Sequence, residues 1–304
     1  MNTSSPVAPK RSLLIVAFAT VYVVWGSTYL AIRVAVETLP PFLLAAVRFL
    51  IAGSMMFAWL RWRGVPLPTR EQWRHSAIAG VLMLLGGNGL VVWAEQGVSS
   101  SLAALLVALT PVWFALLDWL RPGGKRPAAY IWAGILVGFA GVMLLVTGHN
   151  SSDVSVTQNP WGVAALVLAG FSWAAGSLWS RYHPKAESPW MNAALQMICG
   201  GVALLAWSLF QGEPAHFHFA QASVQSCWSF LYLVVFGSWI GFSAYVWLLK
   251  ASTPARVATY AYVNPVIAVL LGRLLLNEPL GLRALWAAVI ILAGVVITTL
   301  PRRA

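Results

Sequence analysis

Apolar residues run along this chain in blocks of about 20, and short polar segments separate the blocks. The clearest block covers residues 13–32 and contains no charged side chain. A helix of about 20 apolar residues spans the hydrocarbon core of a bilayer, which is roughly 30 Å thick. The pattern therefore predicts an all-α integral membrane protein with ten transmembrane helices. The predicted helices cover residues 13–32, 42–60, 77–94, 98–117, 128–147, 161–180, 190–210, 227–249, 257–276 and 284–300.

Basic side chains are distributed unevenly over the loops between these helices. With the N-terminus in the cytoplasm, 15 of the 19 Lys and Arg residues fall in inner loops or at the termini. The outer loops hold only Arg33, Arg273 and Arg283, and Arg48 lies inside the second helix. Because cytoplasmic loops carry the excess of positive charge in membrane proteins, this bias predicts that both termini are cytoplasmic.

Composition supports a membrane protein and argues against nucleic-acid binding. Of the 304 residues, 60% are hydrophobic and 9% are charged, whereas a soluble domain carries about a quarter charged residues. A net charge of +11 could indicate a nucleic-acid partner, but the basic residues occupy short loops and form no basic face interleaved with aromatic residues. The expected partners are therefore the lipid bilayer and a small-molecule substrate, and no nucleic acid.

The second half of the chain repeats the first half. Near the start an offset of 150 residues pairs Gly26 with Gly176, and further on the offset is 154. The pairs at the longer offset are Gly87 and Gly241, Trp93 and Trp247, Pro111 and Pro265, and Trp132 and Trp286. Each repeat, 13–147 and 161–300, has five predicted helices. Because five is odd, the second repeat enters the membrane inverted relative to the first, which is the architecture of many secondary transporters.

Several motifs together resemble those of the EamA-type drug/metabolite transporter superfamily. They are Trp25-Gly26-Ser27-Thr28-Tyr29, the segment from Pro41 to Phe49, the segment from Ala261 to Val266, and Asn277-Glu278-Pro279. The resemblance covers nearly the whole chain. It implies two EamA units that transport amino acids, sugars or related metabolites across the bacterial inner (plasma) membrane. Within the superfamily the chain resembles YddG-type exporters of aromatic amino acids most.

That resemblance implies export of aromatic or other neutral amino acids by alternating access, with no catalytic residue and no cofactor. One departure is visible in the first repeat, where the segment from Arg121 to Lys125 replaces the Glu-containing turn. A role for Glu278 is therefore not carried to both halves. The sequence leaves the oligomeric state open, and a monomer is the working expectation.

Glycine and proline interrupt two pairs of helices at matching positions in the repeats. Thr110-Pro111 and Asn264-Pro265 are predicted to break the fourth and ninth helices near mid-span, because proline lacks the N–H of the helical hydrogen bond. The segments 86–89 and 237–241 are predicted to loosen the third and eighth helices. Both pairs are expected to face a central cavity, with Pro111 and Pro265 as hinges. The alternative is that membrane helices simply tolerate these residue types.

The candidate substrate-binding residues are aromatic or neutral polar side chains near mid-span. They are Trp25, Asn88, Thr110, Trp113, Phe171, Trp173, Trp239, Tyr262 and Asn264. All eight acidic residues fall in loops or near helix ends, whereas a carrier of lipophilic cations would keep a carboxylate at depth. The lining therefore favours a neutral or zwitterionic substrate with an apolar side chain. Packing between helices or contact with lipid is the alternative for each aromatic residue.

Arg48 lies about 10 Å inside the second span, given the rise of an α-helix, and could meet a substrate carboxylate. It occupies the position at which the family has an arginine, away from the broken helices. We interpret it as capping backbone carbonyls of a neighbouring helix, and we leave it outside the candidate site.

Other functional classes find less support in the sequence. A membrane enzyme would need acid, base, nucleophile or metal groups converging at one depth, and no such set or motif occurs in the chain. His216 and His218 have no carboxylate or thiolate partner, so no metal site is predicted. A channel, or a carrier of another solute such as a sugar or a drug, is the remaining alternative. Saturable counterflow separates a carrier from a pore.

Overall fold

The protein is helical throughout the part of the chain that the structure describes. A computed structural model describes residues 11–94, 106–146, 160–186, 188–276 and 282–299, and no strand occurs in these ranges. The long helices are α1 (Arg11–Ala35), α2 (Pro41–Trp62), α3 (Arg70–Ala94), α4 (Thr110–Leu120), α5 (Ala129–Val146), α6 (Pro160–Tyr182), α7 (Pro189–Phe210), α8 (Val224–Ala251), α9 (Tyr260–Leu276) and α10 (Leu282–Thr299). Short helical segments cover Glu213–His216, Phe219–Gln221 and Pro254–Val257. The predicted all-α class is therefore confirmed for the described residues.

In the part of the chain that the structure describes, six helices are long and apolar enough to cross a membrane: α1, α2, α3, α6, α7 and α8. Shorter apolar stretches, Ala129–Leu144 and Leu285–Thr298, lie in α5 and α10. Large apolar side chains face outward along these helices, as Leu136, Leu168 and Val289 illustrate with more than half of their surface exposed. Such a surface is suited to lipid rather than water. The predicted turn 277–279 lies outside the described residues.

Helix α3 begins seven residues before the predicted start at residue 77. Thr69 caps the helix: its side chain accepts a hydrogen bond from the Gln72 N–H, and the Gln72 side chain accepts one from the Thr69 N–H. This capping box stabilises a polar first turn that hydropathy alone excludes from the span.

Both glycine-rich segments adopt π-helical geometry. In α3 the π-segment covers Val81–Gly89, and in α8 it covers Leu233–Phe242. The two segments overlap when the chain is shifted by the 154-residue offset between the repeats. Wide turns of this kind occur frequently at functional sites. The loosening expected from the glycines is therefore present in both helices.

The proline-containing helices differ from each other. Residues 108–109 form a turn and α4 begins at Thr110, so the fourth helix is interrupted directly before Pro111, close to the predicted position. Pro265 instead lies inside α9, and the prediction that it breaks its helix is wrong. The interruption in that half lies at residues 258–259, where Ala261 and Tyr262 donate to carbonyls three residues earlier. One missing N–H is tolerated in a membrane helix when neighbouring helices enclose it.

Helix packing follows a reciprocal pattern. Helix α1 packs against α8 and α9, and α6 packs against α3 and α4. Helix α2 packs against α7, and α5 packs against α10. Exchanging the first five helices with the last five therefore leaves these neighbours unchanged. Close approach in the α2–α7 pair depends on Gly53 and Gly201, where an added Cβ would lie about 3 Å from the facing helix.

The two ends of the bundle are tied by different interactions. At the end where α2 begins, the Glu213 carboxylate accepts hydrogen bonds from the N–H groups of Phe42 (3.2 Å) and Leu43 (2.7 Å). A carboxylate at a helix N-terminus satisfies donors that have no partner within the helix. We call this end the cavity end, because the cavity described below extends towards it.

At the opposite end, called the closed end, α4 and α6 are joined where both helices finish. The Tyr182 hydroxyl donates to Asp118 Oδ1 (2.7 Å), which also accepts from Arg121 Nε (2.8 Å). Arg181 donates to the backbone carbonyls of Leu249, in the last turn of α8, and of Ser252, directly after that helix. Burial, together with the charges of Lys250 and Arg181, lowers the pKa of Lys185 at this end.

Candidate functional site

A central cavity of about 130 Å³ lies between α1, α2, α3, α4, α6, α8 and α9. Its lining extends from mid-span to Ile32 and Val92, which lie within one turn of the ends of α1 and α3. An engineered cavity of about 150 Å³ in another protein binds benzene, so this cavity has room for a group the size of an aromatic ring. The site is therefore a pocket between helices of the bundle, a usual location for small-molecule sites.

Aromatic rings form the wall of the cavity that faces the closed end. The Trp25 ring lies 5.5 Å from Trp173 and 5.0 Å from Tyr260, both edge-on. Behind them, Tyr245 is fully buried and accepts a hydrogen bond from Trp173 Nε1 (2.8 Å). Its hydroxyl also bonds the Ser177 hydroxyl (2.6 Å). These contacts hold flat apolar surfaces in fixed orientations at the cavity floor.

The π-segments position the two tryptophans through their glycines. A Cβ added at Gly87 would lie 2.8 Å from Trp173 Cε3, and one added at Gly241 would lie 2.7 Å from Trp25 Nε1. The contact is reciprocal, because each glycine belongs to one half of the chain and faces a tryptophan of the other half. Trp25 Nε1 also donates to the Gly237 carbonyl (3.2 Å) within the α8 π-segment. The rings can lie against the helix backbone only because these positions carry no side chain.

The polar groups of the cavity lie mainly on α2, α3, α4 and α9. Arg48 Nη2 donates to Asn88 Oδ1 (3.3 Å), and the Thr110 hydroxyl donates to the Val107 carbonyl (2.6 Å). Asn264, one turn beyond Tyr260 on α9, also lines the cavity. Among the described residues of the lining, Arg48 is the one charged side chain.

Five of the nine candidate residues line this cavity: Trp25, Asn88, Thr110, Trp173 and Asn264. The other four lie outside its lining. Tyr262 is fully buried, packs against Gly138 of α5, and donates to the Ile135 carbonyl (3.4 Å).

Trp113 and Phe171 form an edge-on pair at 5.6 Å between α4 and α6. Trp239 lies in a separate apolar groove of about 460 Å³, which α1, α2, α7 and α8 line. These four side chains therefore do not line the cavity with Trp25 in this structure, and their contact with a substrate stays a prediction. Helical phase accounts for Phe171, Trp239 and Tyr262, since each lies two positions from a cavity-lining residue and points to the opposite side of its helix.

Residues that the sequence interpretation left out also line the cavity, among them Arg48, Phe49, Phe242 and Tyr260. The signal for Tyr260 was its i, i+4 spacing from Asn264, which places both on one helix face. From the sequence, Arg48 was expected to cap backbone carbonyls of a neighbouring helix. Among the described residues its hydrogen bond instead goes to the Asn88 side chain, and its guanidinium lies over the Phe49 ring at 4.3 Å. No group of three His, Cys, Asp or Glu residues within the described ranges could hold a metal ion.

Comparison with known proteins identifies one family and several relatives. The model of the EamA-like transporter family matches residues 12–147 and again residues 160–300. An uncharacterized inner membrane transporter of Escherichia coli K12, YedA, is 39% identical over 288 residues, which cover 93% of this chain and 90% of YedA. An uncharacterized transporter of Archaeoglobus fulgidus is 26% identical over 286 residues, covering 92% of this chain and 95% of the relative.

A solved crystal structure has the same fold, with a TM-score of 0.77 over 95% of this chain and 98% of the other, at 21% identity. That likeness shows the fold alone. The relatives named above are transporters without an assigned substrate, and they do not single out YddG-type exporters. The expected subfamily is therefore not supported.

Proposed function

The chain belongs to the EamA-like transporter family, and we propose that it carries amino acids with apolar or aromatic side chains across the inner membrane by alternating access. The observation that carries this proposal is the central cavity. It combines aromatic walls with a few polar side chains, and it lies between two π-helical segments at matching positions of the chain. Such a lining accepts an apolar side chain and orients a small polar head group.

The proposed architecture is ten transmembrane helices in two inverted five-helix units, 13–147 and 161–300. The helix packing supports it, because the same pairs of neighbouring helices result when the first five helices are exchanged with the last five. The reciprocal contacts of Gly87 with Trp173 and of Gly241 with Trp25 support it at the level of side chains. Inverted units of this kind allow a carrier to open to one side and then the other around a fixed site.

Localisation in the inner membrane is proposed from the YedA relative and the apolar helices. We propose that both termini are cytoplasmic, because the loops at the closed end carry the excess of basic residues. With that orientation the cavity faces outward. Export is the proposed direction, and it rests on the resemblance to the superfamily described above.

Counterflow in liposomes tests the proposal. Purified protein would be reconstituted with unlabelled phenylalanine inside, and uptake of labelled phenylalanine would be competed with leucine, glutamate, glucose and a quaternary ammonium compound. We expect saturable uptake that phenylalanine and leucine inhibit. The quaternary ammonium compound should not compete, since no carboxylate among the described lining residues offsets its desolvation.

A matched pair of variants ties transport to the cavity. Ala169 is buried and lines the cavity, whereas Ala164 lies on the exposed face of the same helix. Ala169→Phe should block counterflow by filling the space, and Ala164→Phe should leave it near the parental rate. Equal rates in both variants, or uptake of glucose or the cation in place of amino acids, would contradict the proposed function.

A further inference from the structure

Arg48 is a buried cation whose hydrogen-bonding capacity is only partly used. Its side chain is 6% exposed, and its Nε has no hydrogen-bond partner among the described residues. Within the described ranges its side-chain hydrogen bond goes to Asn88 Oδ1, and this bond is long at 3.3 Å. The ion pairs of the described ranges join His75 to Glu71 and Arg121 to Asp118, so neither involves Arg48. A guanidinium keeps its charge at neutral pH, and burying it without an anion is costly.

Asn264 supplies an unused acceptor in the same cavity. It is 2% exposed, and its Oδ1 has no hydrogen-bond partner among the described residues. The edge-on pair of Trp25 and Tyr260 belongs to the same lining. An amide oxygen beside aromatic faces is a suitable environment for an ammonium group, since the oxygen accepts its hydrogen bonds and the rings attract its charge.

Two residues of the cavity lining therefore carry an unpaired polar atom: Arg48 Nε is a hydrogen-bond donor, and Asn264 Oδ1 is an acceptor. Buried polar groups are almost always paired, so unpaired polar atoms on two residues that line the same cavity are candidate contacts for a bound solute. A neutral solute would leave the Arg48 charge uncompensated. A simple anion would compensate it but leave the Asn264 oxygen without a donor. A zwitterion satisfies both at once.

We propose that Arg48, with Asn88, binds the carboxylate of an α-amino acid, and that Asn264 Oδ1 accepts hydrogen bonds from its ammonium group. The assignment rests on the proposed function and specifies its substrate class at the level of atoms. The side chain of the amino acid then lies against the ring surfaces of Trp25 and Trp173. The Asn88 side chain positions the guanidinium, and the carboxylate takes a guanidinium N–H that Asn88 leaves free.

Binding of three related compounds tests the assignment. L-phenylalanine has both charged groups, phenethylamine lacks the carboxylate, and 3-phenylpropionate lacks the amine. Affinities would be measured by calorimetry on purified protein. Each analogue should bind the parental protein roughly 10- to 100-fold more weakly than phenylalanine, the range expected for losing a charged hydrogen-bonded contact.

Each variant should abolish the difference in affinity between phenylalanine and one of the two analogues. Arg48→Met should weaken phenylalanine binding about as much as removing the carboxylate does, and should leave phenethylamine binding unchanged. Asn264→Leu should weaken phenylalanine binding about as much as removing the amine does, and should leave 3-phenylpropionate binding unchanged. Arg48→Lys should restore part of the preference for the carboxylate. Arg61→Met is the control, because Arg61 lies on the same helix and contacts the Val65 carbonyl outside the cavity.

The outcomes separate the subsite from the proposed function. If Arg48→Met weakens phenylalanine and phenethylamine by the same factor, or if the parental protein binds the three compounds equally, the subsite is overturned. Counterflow of phenylalanine with an unchanged KM in both variants overturns the subsite while the proposed function stands. A parental protein that carries glucose and no amino acid overturns the proposed function itself.

Discussion

The two halves of the chain bury a polar side chain at the same position of α2 and α7, and they use it differently. Both helices begin with a proline, Pro41 or Pro189, and the seventh residue after it is Arg48 in α2 and Gln196 in α7. Arg48 lines the cavity. Gln196 is 2% exposed, and its Nε2 donates to the Ser180 hydroxyl (2.7 Å).

The surroundings of these two residues explain the difference. Around Gln196, α3 lies so close to α7 that a Cβ added at Gly80 would be 2.3 Å from the Gln196 carbonyl oxygen. Around Arg48, the corresponding space is part of the cavity. One half is therefore open and the other closed around equivalent positions. In a carrier with inverted halves, the opposite state would open the space at Gln196 and close the one at Arg48.

The largest effect should come from filling the contact between a π-segment and its tryptophan. Gly87→Ala places a Cβ 2.8 Å from a ring atom of Trp173, so we expect a loss of stability of about 1–3 kcal/mol and reduced counterflow. Gly89→Ala is the control, because its Cβ meets only side-chain ends at 3.3 Å or more. Thermal unfolding of both variants in detergent measures the difference, and equal stabilities would refute the packing argument.

Trp173 and Trp239, both expected from the sequence to line one cavity, should respond differently to substitution. Trp173→Ala removes a wall of the central cavity, and should weaken binding of phenylalanine more than that of alanine, by roughly tenfold. Trp239→Ala should leave the ratio unchanged, since Trp239 lies in the separate apolar groove. Competition binding with the two amino acids decides this. A changed ratio in Trp239→Ala would place that residue at the substrate.

The prolines give a smaller and asymmetric effect. Pro265→Ala restores an N–H inside α9, which should stabilise the fold by about 1 kcal/mol and slow turnover if α9 bends there during transport. Pro111→Ala should change stability little, because Pro111 occupies the first turn of α4, where the N–H has no helical partner. Unfolding and counterflow would be measured on both. The hinge hypothesis fails for Pro265 if stability rises and turnover stays at the parental value.

The smallest effect should come from the closed end. Tyr182→Phe removes the exposed hydrogen bond to Asp118, and should favour opening of this end by about 0.5 kcal/mol, the low end of the range for one hydrogen bond. Asp118→Asn keeps an oxygen acceptor for the tyrosine and should shift the equilibrium less. Accessibility of a cysteine at the closed end reports the shift. Identical accessibility in Tyr182→Phe and the parental protein would mean that this contact does not hold the end closed.

Much of the fold could be predicted from the sequence, because hydropathy and glycine content are local properties that can be read one segment at a time. The spans, the class and the loosened third and eighth helices follow from local composition. The candidate site was only partly predictable. Tyr260 and Tyr262 are both tyrosines and lie two positions apart on α9. Because they point to different sides of the helix, Tyr260 lines the cavity and Tyr262 packs against other helices. Helix α9 begins directly after the interruption at 258–259, which carries neither glycine nor proline to mark it in the sequence.

Arg48 shows a second limit. Its depth indicated a functional role, but the choice between a backbone carbonyl and a cavity depends on the distance between α2 and α3. Glycine contacts set how closely helices far apart in the sequence approach each other, as at Gly80, where an added Cβ would lie 2.3 Å from the Gln196 carbonyl oxygen of α7. Pairwise packing of this kind cannot be read from one helix at a time.

Side-specific cysteine labelling tests most directly the claim that the two halves open in turn. After replacement of Cys199 and Cys227, a cysteine would be placed at Val91, in the cavity lining, or at Ser180, beside Gln196. Each variant in oriented liposomes would react with a membrane-impermeant maleimide from either side, with and without a phenylalanine gradient. We expect Val91→Cys and Ser180→Cys to react from opposite sides, and the gradient to raise one rate as it lowers the other. Reaction of both cysteines from the same side, at rates that the gradient does not change, would contradict alternation of the two halves.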